Sequence, residues 1–121
     1  MGALVLNDEE LAKQLYFIQN ASGAICGPQD AFLVLRGIKT LSVRMQRHCE
    51  NGAAIANFLA SHSKVKDVYW PGFDFHPNHT IAKSQMKDFG GMVSFTLTTG
   101  TYEAAVGVLK NLKVFTLAAS I

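Results

Sequence analysis

The chain has 121 residues, of which 49% are hydrophobic and 17% charged, and its formal net charge is +2. That length supports one domain with a core, and that composition excludes a disordered chain. The charge is too small, and the Lys and Arg residues too scattered, for a nucleic-acid-binding face. No apolar run approaches the roughly 20 residues of a membrane-spanning helix.

Met1 to Leu6 is apolar, but no basic segment precedes it and Asn7-Asp8-Glu9-Glu10 follows at once, so a signal peptide is not expected. The Met1-Gly2 start fails as a myristoylation signal because Leu6 stands where Ser or Thr is required. Cys26 and Cys49 are too few for a disulfide scaffold. Both are expected to be reduced thiols in a cytoplasmic protein.

In chain order, Ala3-Leu4-Val5-Leu6 reads as a strand covered on both faces. Asn7 as N-cap and Glu10 three residues later start a helix. Leu11, Leu15 and Ile18 form its apolar side, and Ser22-Gly23 ends it. Gly27-Pro28 opens a second, short helix with Ala31, Phe32 and Leu35 inward, interrupted at Gly37. A longer helix is predicted from about Thr40 to Ser61. Its stripe is Leu41, Met45, Cys49, Gly52, Ile55, Ala56 and Leu59. Val65 to Trp70 reads as a strand stopped by Pro71-Gly72. Thr80 to Met86 reads as a short helix and Gly90-Gly91 as a turn. Met92 to Thr98 alternates as a strand, with Val93, Phe95 and Leu97 on one face. A helix over Thr101 to Leu112 turns Tyr102, Ala105, Val106 and Leu109 inward. Lys113 to Ala118 is predicted as a last strand.

The second half is thus β-α-β-α-β, a small α/β sandwich. The first half, one doubly apolar strand and three helices, does not complete a core. The strand at Ala3 to Leu6 needs neighbours that nothing nearby supplies, and the chain stops directly after a strand. The sequence is therefore expected to continue at both ends.

Few residue constellations promise chemistry. His76-Pro77-Asn78-His79 has H-x-x-H spacing with His62 nearby, but no Cys-x-x-Cys pair or suitably spaced acid completes a zinc site. The expected role is a polar loop capping the helix at Thr80. Cys49 lies on the apolar stripe of the long helix and reads as a small hydrophobe, not a nucleophile. Nothing beside Cys26 promises an activated thiolate. Gly23 to Gly27 and Gly90-Gly91 lack the phosphate-cradling patterns. Arg36, Lys39, Arg44 and Arg47 cluster around a helix junction, as a solvated face or one that pairs with further polypeptide. No metal site, carboxylate pair or triad is expected.

The order of several blocks nevertheless resembles one family. They are Gly2-Ala3-Leu4-Val5, Asn7-Asp8-Glu9-Glu10-Leu11, Leu35-Arg36-Gly37-Ile38-Lys39-Thr40-Leu41, Arg44-Met45, Asn51-Gly52, Tyr69-Trp70-Pro71-Gly72, His76-Pro77-Asn78-His79, Gly91-Met92-Val93-Ser94-Phe95, and Lys110-Asn111-Leu112-Lys113-Val114-Phe115-Thr116-Leu117-Ala118. The series resembles the Cys/Met-metabolism enzymes that use pyridoxal 5'-phosphate (PLP), such as cystathionine gamma-synthase, the cystathionine lyases and methionine gamma-lyase. The Leu35 to Leu41 and Lys110 to Ala118 blocks are the most telling.

The resemblance implies an α/β fold, part of the aspartate-aminotransferase type. Residues 1–36 would be the tail of the PLP-binding large domain, 37–62 a bridging helix, and 63–121 most of the small C-terminal α/β domain. It implies beta/gamma-elimination or gamma-replacement on cystathionine, O-acylhomoserine or methionine-like substrates, in a homo-oligomer. None of Lys13, Lys39, Lys64, Lys66, Lys83, Lys87, Lys110 and Lys113 stands in the family's Ser-x-Thr-Lys setting. The cofactor's other partners would lie upstream, so the chain alone is expected to bind no PLP and to catalyse nothing. The family's Leu-Ala-Glu-Ser-Leu stretch falls on Leu117-Ala118-Ala119-Ser120-Ile121. Ser120 is the one candidate substrate-binding residue, and only in a complete enzyme. Ala119 replaces a glutamate found in several gamma-synthases and gamma-lyases, which leaves the reaction subtype open. The competing readings are a non-catalytic structural or oligomerisation piece and a small ligand-binding α/β module.

Overall fold

The computed structural model describes residues 2–118. Along the chain run α1 (Glu9–Ser22), α2 (Pro28–Ile38), α3 (Leu41–Ala60), β1 (Val65–Tyr69), α4 (His79–Gln85), β2 (Ser94–Leu97) and α5 (Tyr102–Asn111). They fall into two compact units, Met1–Ser42 and Val43–Ile121.

In the first unit, α1 begins one residue later than expected. Asp8, not Asn7, is the N-cap, and its carboxylate accepts the Leu11 N–H at 2.9 Å. Glu9 and Glu10 then sit in the first turn, where the helix dipole favours negative charge. Gly23 ends α1 in the left-handed conformation at φ 68°, as a glycine does without strain. Pro28 occupies the first position of α2, and Lys39 caps its end. Gly37 lies within α2 and does not interrupt it.

The predicted strand at Ala3 to Leu6 does not form. Leu4 and Val5 are exposed, and no described segment offers them a backbone partner. Neither α1 nor α2 has a fully buried residue. Leu15 and Ala31 are half-buried, whereas Leu11, Ile18, Phe32 and Leu35 remain exposed on the sides expected to face inward.

In the second unit, the later part of the α3 stripe behaves as predicted. Gly52 and Ala56 are buried, and Cys49, Ile55 and Leu59 are half-buried. The buried centre is Ala56 with Val68 of β1 and Trp70, ringed by Ala53, Leu59, Val65, Phe73, Phe89 and Val93. β1 pairs antiparallel with β2, Val68 opposite Phe95 and Tyr69 opposite Ser94, with an irregularity between Val65 and Asp67. Thr96 secures that irregular stretch. Its hydroxyl donates to the Asp67 carboxylate at 2.8 Å and accepts the Asp67 N–H at 3.2 Å.

Lys113 to Ala118 is not a strand. Val114, Phe115 and Leu117 are exposed, so the sheet of the described residues has two strands where the sequence suggested three. Thr101 caps α5 through its hydroxyl, which accepts the Ala104 N–H at 3.3 Å. Val106 is half-buried as expected, but Tyr102, Ala105 and Leu109 are exposed.

The approach of α3 to the Gly90-Gly91 turn brings backbone close against backbone. A Cβ on Gly52 would lie 2.5 Å from the Gly90 carbonyl oxygen and 2.9 Å from Gly91 Cα. A Cβ on Gly91 would meet the His48 carbonyl oxygen at 3.0 Å. Gly52→Ala is therefore expected to destabilise the unit by about 1–3 kcal/mol through overpacking. Gly107→Ala in α5, where nothing lies within 4 Å, is expected to be neutral or to stabilise by up to about 1 kcal/mol. Urea unfolding followed by Trp70 fluorescence checks both.

Candidate functional site

The densest side-chain arrangement lies around Trp70, between the end of β1 and the start of α4. The Trp70 indole N–H donates to the Gly90 carbonyl oxygen at 3.2 Å. Its ring stands edge-on to Phe73 (5.4 Å between centroids) and to Phe89 (5.7 Å), and Phe73 stacks on Phe75 at 4.9 Å. Gly72 passes directly over the indole, where a Cβ would come within 2.1 Å of the ring. The Tyr69-Trp70-Pro71-Gly72 block is thus a packing device.

The His76 to His79 block is one too. His79 stacks on Phe89 at 5.3 Å, and its Nδ1–H donates to the Pro71 carbonyl oxygen at 2.8 Å. Its Nε2 lies 3.1 Å from an Asp74 carboxylate oxygen. His76 Nδ1 accepts the Asn78 N–H, and His62 Nδ1 accepts the Lys64 N–H, both at 3.2 Å. These ring nitrogens brace the backbone, and no group of His, Cys, Asp or Glu among the described residues could hold a metal ion. The loop does not cap the helix at Thr80 as expected. α4 starts at His79, and the Asn78 side chain makes no cap bond. The loop is instead fastened by the His79 ring reaching back to Pro71.

Both cysteines are free thiols, Cys26 exposed and Cys49 half-buried. Arg47 of the predicted basic cluster pairs with Glu50 at 2.9 Å. The Leu35 to Leu41 block forms the α2–α3 junction, where the Thr40 hydroxyl donates to the Gly37 carbonyl oxygen at 3.4 Å. Ser120, the candidate substrate-binding residue, lies outside the described residues.

Among the described residues, two clefts of the second unit border the elements above. One, of about 560 Å³, lies between β2 and α5 and is lined by Val93, Phe95, Leu97, Tyr102, Ala105 and Leu109 among others. Tyr102, Ala105 and Leu109 are three of the four α5 residues that the sequence turned inward. The other, of about 350 Å³, is bordered by Gln46, Cys49, Glu50, Trp70, Asp88 and Phe89. The aromatic cluster itself escaped sequence reasoning. Its signal was the single Trp beside a Pro-Gly pair, with Phe73, Phe75 and Phe89 close by.

The sequence matches, over residues 1–121, the family model described as Cys/Met metabolism PLP-dependent enzyme. The chain belongs to that family. It is 48% identical over 123 residues to an L-methionine gamma-lyase of Fusobacterium nucleatum, a match that covers 100% of this chain and 31% of that protein. It is 52% identical over 120 residues to a cystathionine gamma-synthase of Mycobacterium tuberculosis, covering 99% of this chain and 31% of that protein. The crystal structure of a cystathionine gamma synthase from Xanthomonas oryzae pv. oryzae, in complex with aminoacrylate and cysteine, superimposes with a TM-score of 0.84 at 45% identity. That superposition covers 97% of this chain and 30% of the other. The chain therefore spans about 31% of the length of the curated relatives it matches.

The family's cofactor demands an amine for its aldehyde and cations or clustered N–H donors for its phosphate. Neither cleft is lined by an amine. The β2–α5 cleft has no amine, guanidinium or carboxylate in its lining. The other presents the Glu50 and Asp88 carboxylates, which repel a phosphate. Every lysine side chain, from Lys13 to Lys113, is solvent-exposed. The linings of these two clefts do not fit PLP.

Added PLP is accordingly expected to give no stoichiometric covalent absorbance band with the isolated chain; a band abolished by replacing one particular lysine would contradict this. His79→Ala is expected to speed amide exchange across residues 71–79, because the half-buried Pro71 carbonyl loses its donor at a cost of about 1–3 kcal/mol. His79→Asn, whose amide can replace the Nδ1–H, is expected to stay close to the original rate.

Proposed function

We propose that the chain forms part of a PLP-dependent trans-sulfuration enzyme that performs beta/gamma-elimination or gamma-replacement on cystathionine, O-acylhomoserine or methionine-like substrates. The observation that carries this reading is the family match along the whole chain, at similar identity to a gamma-lyase and a gamma-synthase. Because those two relatives differ in reaction, the reaction subtype is left open.

In this reading, residues 1–36 end the PLP-binding domain, 37–62 bridge, and 63–121 belong to the small α/β domain. The continuous helix α3 and the change of compact unit after Ser42 support a division in this part of the chain. Cofactor and catalysis belong to the complete enzyme, where Ser120 lies in the neighbourhood that contacts the substrate carboxylate. Apolar side chains exposed on α1 and α2, among them Tyr16, Phe17 and Phe32, support association with further polypeptide in a homo-oligomer. No described helix is long and apolar enough to cross a membrane. A cytoplasmic location fits metabolic chemistry and the two free thiols.

The test is a chimera in which this chain replaces the matching segment of the Mycobacterium tuberculosis cystathionine gamma-synthase. It is expected to bind PLP and to turn over at least one of cystathionine, an O-acylhomoserine and methionine. A soluble, PLP-loaded chimera inert towards all three would overturn the proposal.

A further inference from the structure

We draw no further inference here: the strongest candidate, the open apolar cleft between β2 and α5 lined by Val93, Phe95, Leu97, Tyr102 and Leu109, is an unpartnered face, and nothing in the structure shows what covers it.

Discussion

Trp70 holds the second unit together. Its indole is the largest of the few buried side chains among the described residues, and its cluster draws on α3, β1 and the segments before α4 and before β2. Ala53 and Ala56 approach from α3, Val68 from β1, and Phe89 from the segment before the Gly90-Gly91 turn. The hydrogen bond to the Gly90 carbonyl fixes the turn that Gly52 allows to come close to α3. Three sequence blocks, Asn51-Gly52, Tyr69 to Gly72 and Gly91 to Phe95, therefore serve one packing requirement. They leave no room for a Cβ at Gly52 or Gly72.

The opposite condition holds around β2 and α5. Apolar side chains of both elements border an open cleft. Side chains such as Phe95 and Tyr102 gain the stabilisation of burial only when something fills the space between them. The first unit shows the same condition, since α1 is capped at both ends and α2 opens on Pro28, yet neither has a fully buried residue. Local propensity and capping shape these helices, and their own unit gives them no core.

This division bears on chemistry. Several of the blocks through which the chain resembles PLP enzymes have a packing role within the described residues. They form a helix junction, an aromatic hub, a histidine-braced loop and a close helix–turn contact. Their residue types answer to packing: glycines where backbones meet, a histidine whose ring nitrogen bonds a carbonyl, a tryptophan at the centre. Cofactor chemistry needs amines and phosphate donors, and the clefts of the described residues present hydrocarbon and carboxylates instead.

Sequence alone determined the helices and their ends to within a residue or two, because caps such as Gly23 and Pro28 act locally. It also identified both strands that formed and the family. Tertiary structure decided the rest. Ala3 to Leu6 and Lys113 to Ala118 have strand-like composition but no described partner, and a strand exists only through another strand's N–H and C=O groups. The aromatic cluster was equally out of reach, since Phe73, Phe89 and His79 meet only once Gly72 and Gly90 fold the backbone around Trp70. Periodicity records which face of an element is apolar, whereas the surface that covers that face belongs to residues distant in sequence.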